Sequence, residues 1–576
     1  MLAGSGQMFV NEEEFQRISA SRLRIVCGGA TKQDEELTTG EALAIGNTLL
    51  DPLGVASTER VVLLLLPHSV ELFCLHLALV FRGNVPAILP WPTSRVDAEK
   101  YQRNLVHQLQ GLPAARLITL PKLAGNIGES LGFPVSGLQR AALEKFEAAF
   151  AAKCETVPAD GREREMSVVE PLPADALFLQ FSGGTTGMQK CIVVTAELLR
   201  SQLDRLQTTL DFGPNDTVVS WLPLYHDMGL IACLWLPVWC GGTGVHLSAA
   251  DWLLAPEKLF GLAEEYAATF CWLPNFAFSY LAQRKRGMRG TWKLGTMRGW
   301  VSCSEPVRER SLREFVEAFG EWGVSAGSVQ ASYAMAETVF AVSQTRLGEA
   351  PRVVAREQVE GGAQGNERLA FSMPGNTFVS SGRLLPETAV RIVDGTGAPC
   401  GAGMAGEIEL RSSSLFAGYW GQTGFRRDCF AADGWFKTGD YGFVSDDELY
   451  VVGRFKDLII VGGQNIFPED VEAIVNEVEG VYAGRVVAFG MEDEAYGTQS
   501  IAVIAEMRGA EGIVPAAMEK EIRTRVLTGI GVAPRYVKAV AERWIVKSTA
   551  GKISRKETRE KFVREVSALK GGGIRE

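Results

Sequence analysis

The sequence is poor in histidine and has no closely paired cysteines. Five of its 576 residues are histidine, and its ten cysteines are scattered without a Cys-x-x-Cys pair. Most of these cysteines lie in apolar runs, which is typical of reduced thiols in a protein core. We therefore expect reduced, core-type cysteines.

The sequence also lacks a basic leader, an apolar run of membrane-spanning length and an excess of positive charge. Met1-Leu2-Ala3-Gly4-Ser5 is not a basic stretch followed by an apolar one, and no window is long and apolar enough for a membrane span. The net charge of −10 opposes binding to nucleic acid and to acidic membrane surfaces. We expect a cytoplasmic protein, without a nucleic-acid partner, that holds any anionic ligand in a local site.

Internal repeats and low-complexity blocks are absent too, and the chain is long enough for roughly three or four domain-sized units. Apolar runs of strand length alternate with helical periodicity as far as about residue 340. Strands are predicted at 61–66, 85–90, 117–120, 176–180, 217–221 and 269–272, and helices at 43–50, 70–81 and within 140–170. This alternation predicts α/β layers.

The pattern changes after residue 340. The segment at about 346–379 loses its apolar period and predicts a long insertion-like loop, and the stretch at about 380–453 predicts a smaller β-rich subdomain. We place a boundary near Gly453-Arg454. The predicted domains are then an N-terminal domain at 1–453 and an α+β C-terminal domain at 454–576, with a helix that Pro468 begins and a loose tail at 570–576.

A glycine-rich stretch from Phe181 to Lys190 lies between two of the predicted strands. Its glycines let backbone N–H groups approach an anion, the hydroxyls of Ser182, Thr185 and Thr186 add donors, and Lys190 adds positive charge. The stretch suits phosphate, but it is not a Walker A motif. Taken alone, it fits a hairpin turn without a ligand equally well.

Five further segments follow this loop in a fixed order. They are Trp221 to Leu230 with adjacent His226 and Asp227, Ala331 to Thr338 with Tyr333 four residues before Glu337, Phe436 to Asp440, Gly453 to Gly463, and Lys547 to Arg555. Each alone has an ordinary explanation, such as a core histidine, a helix face, a turn aspartate, a salt bridge or a solvated lysine. Their joint order is improbable by chance.

In this order and spacing the chain resembles the adenylate-forming (acyl-activating) superfamily from end to end. The loop, Tyr-x-x-x-Glu, Thr-Gly-Asp, Gly-Arg-Phe-Lys-Asp and the C-terminal Gly-Lys carry the resemblance. Pro223 to Leu230, Pro274 to Ala277 and the long segment between Glu337 and Gly382 are similar to the fatty acyl-AMP ligase branch. The resemblance implies a large α/β domain with a β-rich subdomain and a small, mobile C-terminal domain.

The resemblance implies that a carboxylic acid attacks the α-phosphate of ATP, giving acyl-AMP and pyrophosphate. Glu337 would ligate Mg²⁺, Tyr333 would stack on adenine, and Asp440 would bind the ribose hydroxyls with help from Arg454. Lys552 would bridge the substrate carboxylate and the α-phosphate. The implied nucleotide-binding residues are Ser182, Gly183, Gly184, Thr185, Thr186, Gly187, Lys190, Ser332, Tyr333, Asp440 and Arg454.

The resemblance further implies two working poses. The C-terminal domain would swing about a hinge at Lys456, withdrawing Lys552 and presenting another face for thioester formation. His226 would gate the acyl pocket. The acceptor would be the phosphopantetheine thiol of an acyl carrier protein, which would act in trans because no carrier domain is apparent in the sequence.

Some residues depart from the family pattern. Ala334 stands where glycine usually follows the stacking tyrosine, and Cys303 stands where glycine is usual in the acyl pocket. Asp227 and Trp235 are the other pocket candidates, with Trp239 and Trp272 nearby in sequence. We expect a short, medium-chain or modified acyl acid. The alternative is that these tryptophans belong only to the core.

Three other functions stay open. The first is an acyl-CoA ligase, which differs only in its acceptor. The second is a stand-alone amino-acid adenylation enzyme, since Asp227 could pair with a substrate ammonium. The third is a non-catalytic binder of acyl-adenylate or ATP, which the intact Lys190, Glu337, Asp440 and Lys552 disfavour.

Overall fold

The computed structural model describes most of the chain in sixteen pieces. They are residues 9–26, 35–56, 60–91, 105, 116–121, 135–138, 172–181, 190–355, 360–361, 377–421, 424–454, 457–461, 464–493, 498–508, 516–547 and 553–571. The predicted helix within 140–170 and the tail from 572 onwards lie outside these residues.

The described residues include twelve α-helices. They are α1 (Glu12–Ala20), α2 (Thr39–Leu50), α3 (Val70–Arg82), α4 (Ala196–Leu210), α5 (Leu236–Cys240), α6 (Ala249–Leu254), α7 (Lys258–Glu265), α8 (Asn275–Arg284), α9 (Glu309–Phe319), α10 (Pro468–Asn476), α11 (Ala516–Ile530) and α12 (Arg555–Gly571). A π-helix spans Met228–Trp235, and 3₁₀ turns cover Lys285–Gly287, Gly320–Trp322, Ala326–Ser328 and Ala336–Thr338.

The described strands are numbered in chain order. Up to residue 344 they are β1 (Arg22–Val26), β2 (Glu35–Thr38), β3 (Val61–Leu64), β4 (Val85–Ile88), β5 (Arg116–Thr119), β6 (Val135–Gly137), β7 (Ala176–Phe181), β8 (Cys191–Thr195), β9 (Thr217–Ser220), β10 (Thr243–Leu247), β11 (Phe270–Pro274), β12 (Gly299–Cys303), β13 (Val329–Ala334) and β14 (Ala341–Gln344). The later ones are β15 (Val353–Ala355), β16 (Glu360–Gly361), β17 (Thr377–Val379), β18 (Arg383–Leu384), β19 (Thr388–Val393), β20 (Met404–Ser412), β21 (Tyr419–Gly421), β22 (Gly424–Arg426), β23 (Phe436–Ser445), β24 (Glu448–Arg454), β25 (Ile459–Val461), β26 (Gln464–Ile466), β27 (Val481–Asp493), β28 (Thr498–Met507) and β29 (Tyr536–Val540).

Two large sheets form the bulk of the described structure. In the first, β1, β10, β9, β11, β12 and β13 are parallel, and the sheet continues through antiparallel β14 into the β-rich strands β18, β24, β23 and β20. In the second, β6, β5, β3, β4 and β7 are parallel, and β8, β21 and β22 extend the sheet in antiparallel fashion. Parallel strands with helices between them define α/β layers.

The two large sheets share one apolar core. Helix α3 lies in this core and is buried at every residue from Val70 to Val80, which explains why its sequence is apolar on all sides. Ser69 caps its first turn, and Gly83, at a φ of 83°, ends it. Phe178 on the second sheet lies parallel to Trp235 on the π-helix at 6.1 Å between ring centroids.

A separate core lies beyond residue 458. Helices α10 and α11 pack on the three-stranded sheet of β27, β28 and β29, and the apolar residues of that cluster run from Ile459 to Ala539. Pro468 occupies the first turn of α10, as the sequence predicted. The predicted domain boundary near Arg454 coincides with the end of β24 and stays a prediction.

The segment at 346–379 differs from the expected loop. Within its described residues, β15 pairs with β17, and β16 pairs with β20. These strands are too short for a local pattern to reveal them, because their partners rather than their own sequence hold them extended.

No helix among the described residues is both long and apolar enough to cross a membrane.

Candidate active site

Three predicted nucleotide-binding residues, Tyr333, Asp440 and Arg454, meet at one point. The hydroxyl of Tyr333, on β13, donates to Asp440 Oδ2 at 2.5 Å, and Arg454 Nε lies 3.3 Å from Oδ1. Asp440 and Arg454 face each other across β23 and β24 in antiparallel register. Gly439 precedes Asp440 within β23 and has a φ of 73°, a conformation that glycine adopts without strain.

The surroundings of this cluster shift the pKa values of Asp440 and Tyr333. Burial raises the pKa of Asp440, and the neighbouring Arg454 opposes that rise. Burial and the charge of Asp440 raise the pKa of Tyr333. Tyr333 therefore stays protonated and donates to Asp440, whose two carboxylate oxygens each have a partner in the cluster.

Glu337 lies in the 3₁₀ turn that follows β13. Its backbone carbonyl accepts a hydrogen bond from Phe416 N at 2.8 Å, and its Oε1 accepts one from the hydroxyl of Tyr419 at 2.5 Å. Lys190 Nζ lies 4.1 Å from the centre of the Tyr419 ring. The lysine of the glycine-rich loop and the predicted metal carboxylate are therefore joined by Tyr419, a residue that the sequence reasoning missed.

Ser332 has a structural partner in this structure. Its hydroxyl donates to the carbonyl of Ser343 on β14 at 2.8 Å, and the residue is buried. This hydrogen bond links β13, the strand that carries Tyr333, to β14. Its predicted contact with nucleotide stays a prediction.

His226 and Asp227 lie in the turn between β9 and the π-helix. His226 N donates to the carbonyl of Pro223 at 3.3 Å, and the His226 carbonyl accepts from Leu230 N at 2.8 Å. Asp227 caps the π-helix by accepting from Met228 N at 2.8 Å. A π-helix is rare and frequently marks a functional site.

The two other pocket candidates lie deeper. Trp235 is fully buried and donates to His76 Nε2 at 3.2 Å, so it packs in the core between the sheets. Cys303 ends β12 and is fully buried, and the hydroxyl of its neighbour Ser304 donates to Met228 Sδ at 3.7 Å. Cys303 therefore lies near the start of the π-helix. The pocket roles of Asp227, Trp235 and Cys303 stay predictions.

The remaining predicted residues are not described by the structure. Ser182, Gly183, Gly184, Thr185, Thr186 and Gly187, the hinge residue Lys456 and the catalytic candidate Lys552 lie outside the described residues. The described flanks of Lys552 are fixed, since Lys547 and Ile553 form an antiparallel bridge and Ser554 N donates to the Val546 carbonyl at 2.8 Å.

The described residues fit a magnesium nucleotide. Mg²⁺ prefers oxygen ligands and is usually held by one or two carboxylates together with substrate phosphates. Glu337 supplies such a carboxylate, and the described residues contain no group of three His, Cys, Asp or Glu side chains that could enclose a metal ion by itself. Lys190 supplies positive charge beside Glu337, where phosphate oxygens would collect.

The fold and this constellation define a class of protein, the adenylate-forming ligases, and comparison with known proteins supports that class. Residues 36–420 match the family model described as AMP-binding enzyme. The long-chain-fatty-acid–AMP ligase FadD26 of Mycobacterium marinum is 32% identical over 68% of this chain and 70% of its own. A fatty-acid–CoA ligase homologue, FadD25 of Mycobacterium tuberculosis, is 30% identical over 67% of this chain and 70% of its own.

A solved structure shares the fold over nearly the whole length. It comes from a study of fatty acyl-adenylate ligases from E. coli and L. pneumophila, with a TM-score of 0.78, 24% identity and coverage of 98% of this chain and 99% of that one. The chain belongs to the AMP-binding enzyme family. It is an adenylate-forming ligase that activates an acyl group with ATP.

Proposed function

We propose that the chain is a cytoplasmic fatty acyl-AMP ligase that transfers its acyl group to an acyl carrier protein in trans. It converts a fatty or modified acyl acid and ATP to acyl-AMP and pyrophosphate, then passes the acyl group to a phosphopantetheine thiol. The proposal rests on two sets of contacts. Tyr333, Asp440 and Arg454 meet at one point, and Tyr419 contacts both Lys190 and Glu337.

The chemistry requires positive charge where two anions meet. The substrate carboxylate and the α-phosphate repel each other, so preorganised cations and donors lower the barrier. Lys190 and Mg²⁺ held by Glu337 would neutralise the departing pyrophosphate, and Lys552 would neutralise the reacting oxygens. Asp440 would hold the ribose, with Arg454 fixing its carboxylate.

We predict that Lys552→Ala lowers carboxylate-dependent ATP–pyrophosphate exchange at least about a hundredfold, because one well-placed donor is worth on the order of 3 kcal/mol in the transition state. Circular dichroism should show an unchanged fold. Lys520→Ala is the matched control, since Lys520 is exposed on α11. Exchange at the wild-type rate in Lys552→Ala would refute the assignment of Lys552.

The substrate is found by screening carboxylic acids in the same exchange assay. We expect short, medium-chain or modified acids to be preferred, with Cys303 near the π-helix as the supporting residue. Trp235 is fully buried against His76, so it does not support this expectation. A preference for acids of sixteen carbons or more would overturn the expectation about chain length and leave the reaction intact.

The acceptor of the acyl group distinguishes a fatty acyl-AMP ligase that serves a carrier protein from an acyl-CoA ligase. A CoA ligase is the second candidate, because homologues with that name match the chain as well. Coenzyme A and a phosphopantetheinylated carrier protein, offered side by side to the acyl-AMP form, decide between them. Transfer to coenzyme A alone would replace the proposed acceptor.

A further inference from the structure

Tyr419 is held next to the end of the glycine-rich loop by strand pairing. It begins β21, which pairs antiparallel with β8 in the register Tyr419 to Ile192 and Trp420 to Cys191. Because Lys190 immediately precedes β8, this register places the Tyr419 side chain beside the loop's lysine. The position depends on backbone hydrogen bonds and not on the side chain itself.

The Tyr419 hydroxyl is committed to Glu337. It is buried and donates to Glu337 Oε1 at 2.5 Å, which is the short distance expected of a hydrogen bond to a charged carboxylate. Since Phe416 N holds the Glu337 carbonyl, the turn and the segment before β21 are fastened at two points.

The ring of the same side chain faces a cation. Lys190 Nζ lies 4.1 Å from the ring centre, within the range of a cation–π interaction. A hydroxyl that donates to an anion leaves the ring richer in electrons, which favours the cation on its face. One side chain thus contacts the predicted metal carboxylate and the predicted phosphate lysine through different atoms.

We propose that Tyr419 is a positioning residue that sets the affinity of the active site for Mg²⁺ in the nucleotide complex. The inference rests on the proposed function, in which Glu337 ligates the metal. By holding Oε1, the hydroxyl fixes the plane of the carboxylate and limits its rotation before the metal binds. Hydrogen bonds of this kind to a metal ligand typically change metal affinity or activity about 10- to 100-fold when removed.

A purely structural role predicts something different. The Tyr419 ring also packs against Phe416 at 4.8 Å between centroids, and phenylalanine would keep that contact. If only the packing mattered, Tyr419→Phe would leave the magnesium requirement unchanged. The magnesium titration therefore distinguishes the positioning role from the packing role, which activity alone would not do.

The test uses the full chain, ATP and a carboxylic acid that supports exchange in the wild type. Pyrophosphate exchange and, by calorimetry without the acid, the binding of ATP are each measured against Mg²⁺ concentration. We expect Tyr419→Phe to raise the half-saturating Mg²⁺ about tenfold or more, while the ATP KM at saturating Mg²⁺ changes less than about twofold. Tyr441→Phe is the matched control, since its buried hydroxyl donates to the Ala405 carbonyl at 3.0 Å.

A second variant and a mutant cycle make the test independent of one substitution. Tyr419→Leu also lacks the hydroxyl and must show the same rise, with a further increase in ATP KM because Lys190 loses the ring. In a Glu337→Gln background, Tyr419→Phe should have little additional effect on the Mg²⁺ midpoint, since that background already lacks the metal-binding charge through which the hydroxyl acts.

The outcomes distinguish the inference from the proposed function. An unchanged Mg²⁺ midpoint in Tyr419→Phe or Tyr419→Leu, or full additivity with Glu337→Gln, overturns the role of Tyr419 and leaves the proposed function intact. Absence of exchange in the wild type with every acid tested overturns the proposed function itself. A loss of thermal stability without a shift in the midpoint assigns Tyr419 to packing alone.

Discussion

Gln180 is a buried side chain whose hydrogen-bonding capacity is unused. It lies on β7 one residue before Phe181, is 4% exposed, and neither amide atom has a hydrogen-bond partner in the part of the chain that the structure describes. A buried polar group without a partner costs about 1–3 kcal/mol. A cost of this size directly before the glycine-rich loop makes Gln180 a residue to test for contact with substrate.

We predict that Gln180→Leu raises the free energy of unfolding by about 1 kcal/mol and lowers pyrophosphate exchange about tenfold. Stability should increase because leucine is close to glutamine in volume and removes an unsatisfied amide. Exchange should fall if the amide contacts substrate. Thermal melts and exchange kinetics measure the two effects.

The control for Gln180 is a buried glutamine that is satisfied. Gln330 is fully buried, accepts from Gln344 Nε2 at 3.0 Å and donates to the Arg298 carbonyl at 3.4 Å. Gln330→Leu should lower stability. If Gln180→Leu lowers stability to the same extent, the amide has a partner in the folded protein and the interpretation is wrong.

At the residue scale, the sequence predicts those functional side chains that belong to a recognisable motif. The order of the motifs predicts Tyr333, Asp440 and Arg454 as site residues, and the structure brings their side chains together. Tyr419 carried no comparable signal, because its importance depends on the pairing of β21 with β8 across more than two hundred residues. No local pattern encodes that register.

The π-helix is the element that shapes the His226 turn. Gly229 lies in its first turn, where a Cβ atom would come within 2.3 Å of the Pro223 carbonyl oxygen. Pro223 O also accepts from His226 N. A side chain at 229 would therefore displace the same backbone atom that fixes the proposed gate.

We predict that Gly229→Ala destabilises the protein by about 1–3 kcal/mol, because it overpacks a closed backbone contact. The displaced turn should also raise the KM for the acid more than the KM for ATP in the exchange assay. Gly320→Ala is the matched control, since a Cβ there meets nothing within 4 Å. Equal changes in both KM values would argue against a gate at His226.

At the element scale, long periodic segments were predictable and paired short strands were not. The helix predicted at 70–81 is α3, and the strand predicted at 176–180 lies within β7. The eight-residue π-helix was not foreseen, because its apolar sequence does not distinguish π from α geometry. β15 and β17 were missed because each needs the other to form.

At the scale of the whole molecule, the part beyond residue 458 has its own core, and it contacts the preceding part through buried Phe467 and through ion pairs. Arg310 Nη1 lies 2.5 Å from Glu477 Oε1, and Arg308 Nη1 lies 3.8 Å from Asp470 Oδ1. Arg310 and Glu477 are more than half exposed, and ion pairs of that kind contribute little stability. The separate core supports the proposed swing about Lys456, and that swing would have to break the buried contact of Phe467 with Tyr441.

Arg555 connects the proposed hinge to the segment that carries Lys552. It donates to Asp457 Oδ2 at 2.7 Å, to Glu469 Oε1 at 3.0 Å and to Glu472 Oε1 at 2.9 Å. Asp457 directly follows Lys456, and Arg555 lies three residues after Lys552. Burial raises the pKa of Glu472 to about 7, and Arg555 opposes that rise.

We predict that Arg555→Gln costs about 3 kcal/mol of stability at pH 8, because three clustered carboxylates lose their cation. Exchange activity should fall at least about tenfold as the Lys552 segment loses its anchor. A carboxyl with a raised folded pKa is favourable when protonated, and that contribution is lost as pH rises from about 4.5 through 7. The deficit should therefore shrink as pH falls towards 5.

The matched control is Arg525→Gln on α11, whose ion pair with Glu521 is exposed and local. It should change stability by less than about 0.5 kcal/mol and leave exchange unchanged. Urea melts at pH 5, 6, 7 and 8 and exchange assays at pH 8 measure both variants. A pH-independent deficit in Arg555→Gln, or full exchange activity despite lost stability, would show that the cluster does not position the Lys552 segment, because an anchor must affect the chemistry as well as the fold.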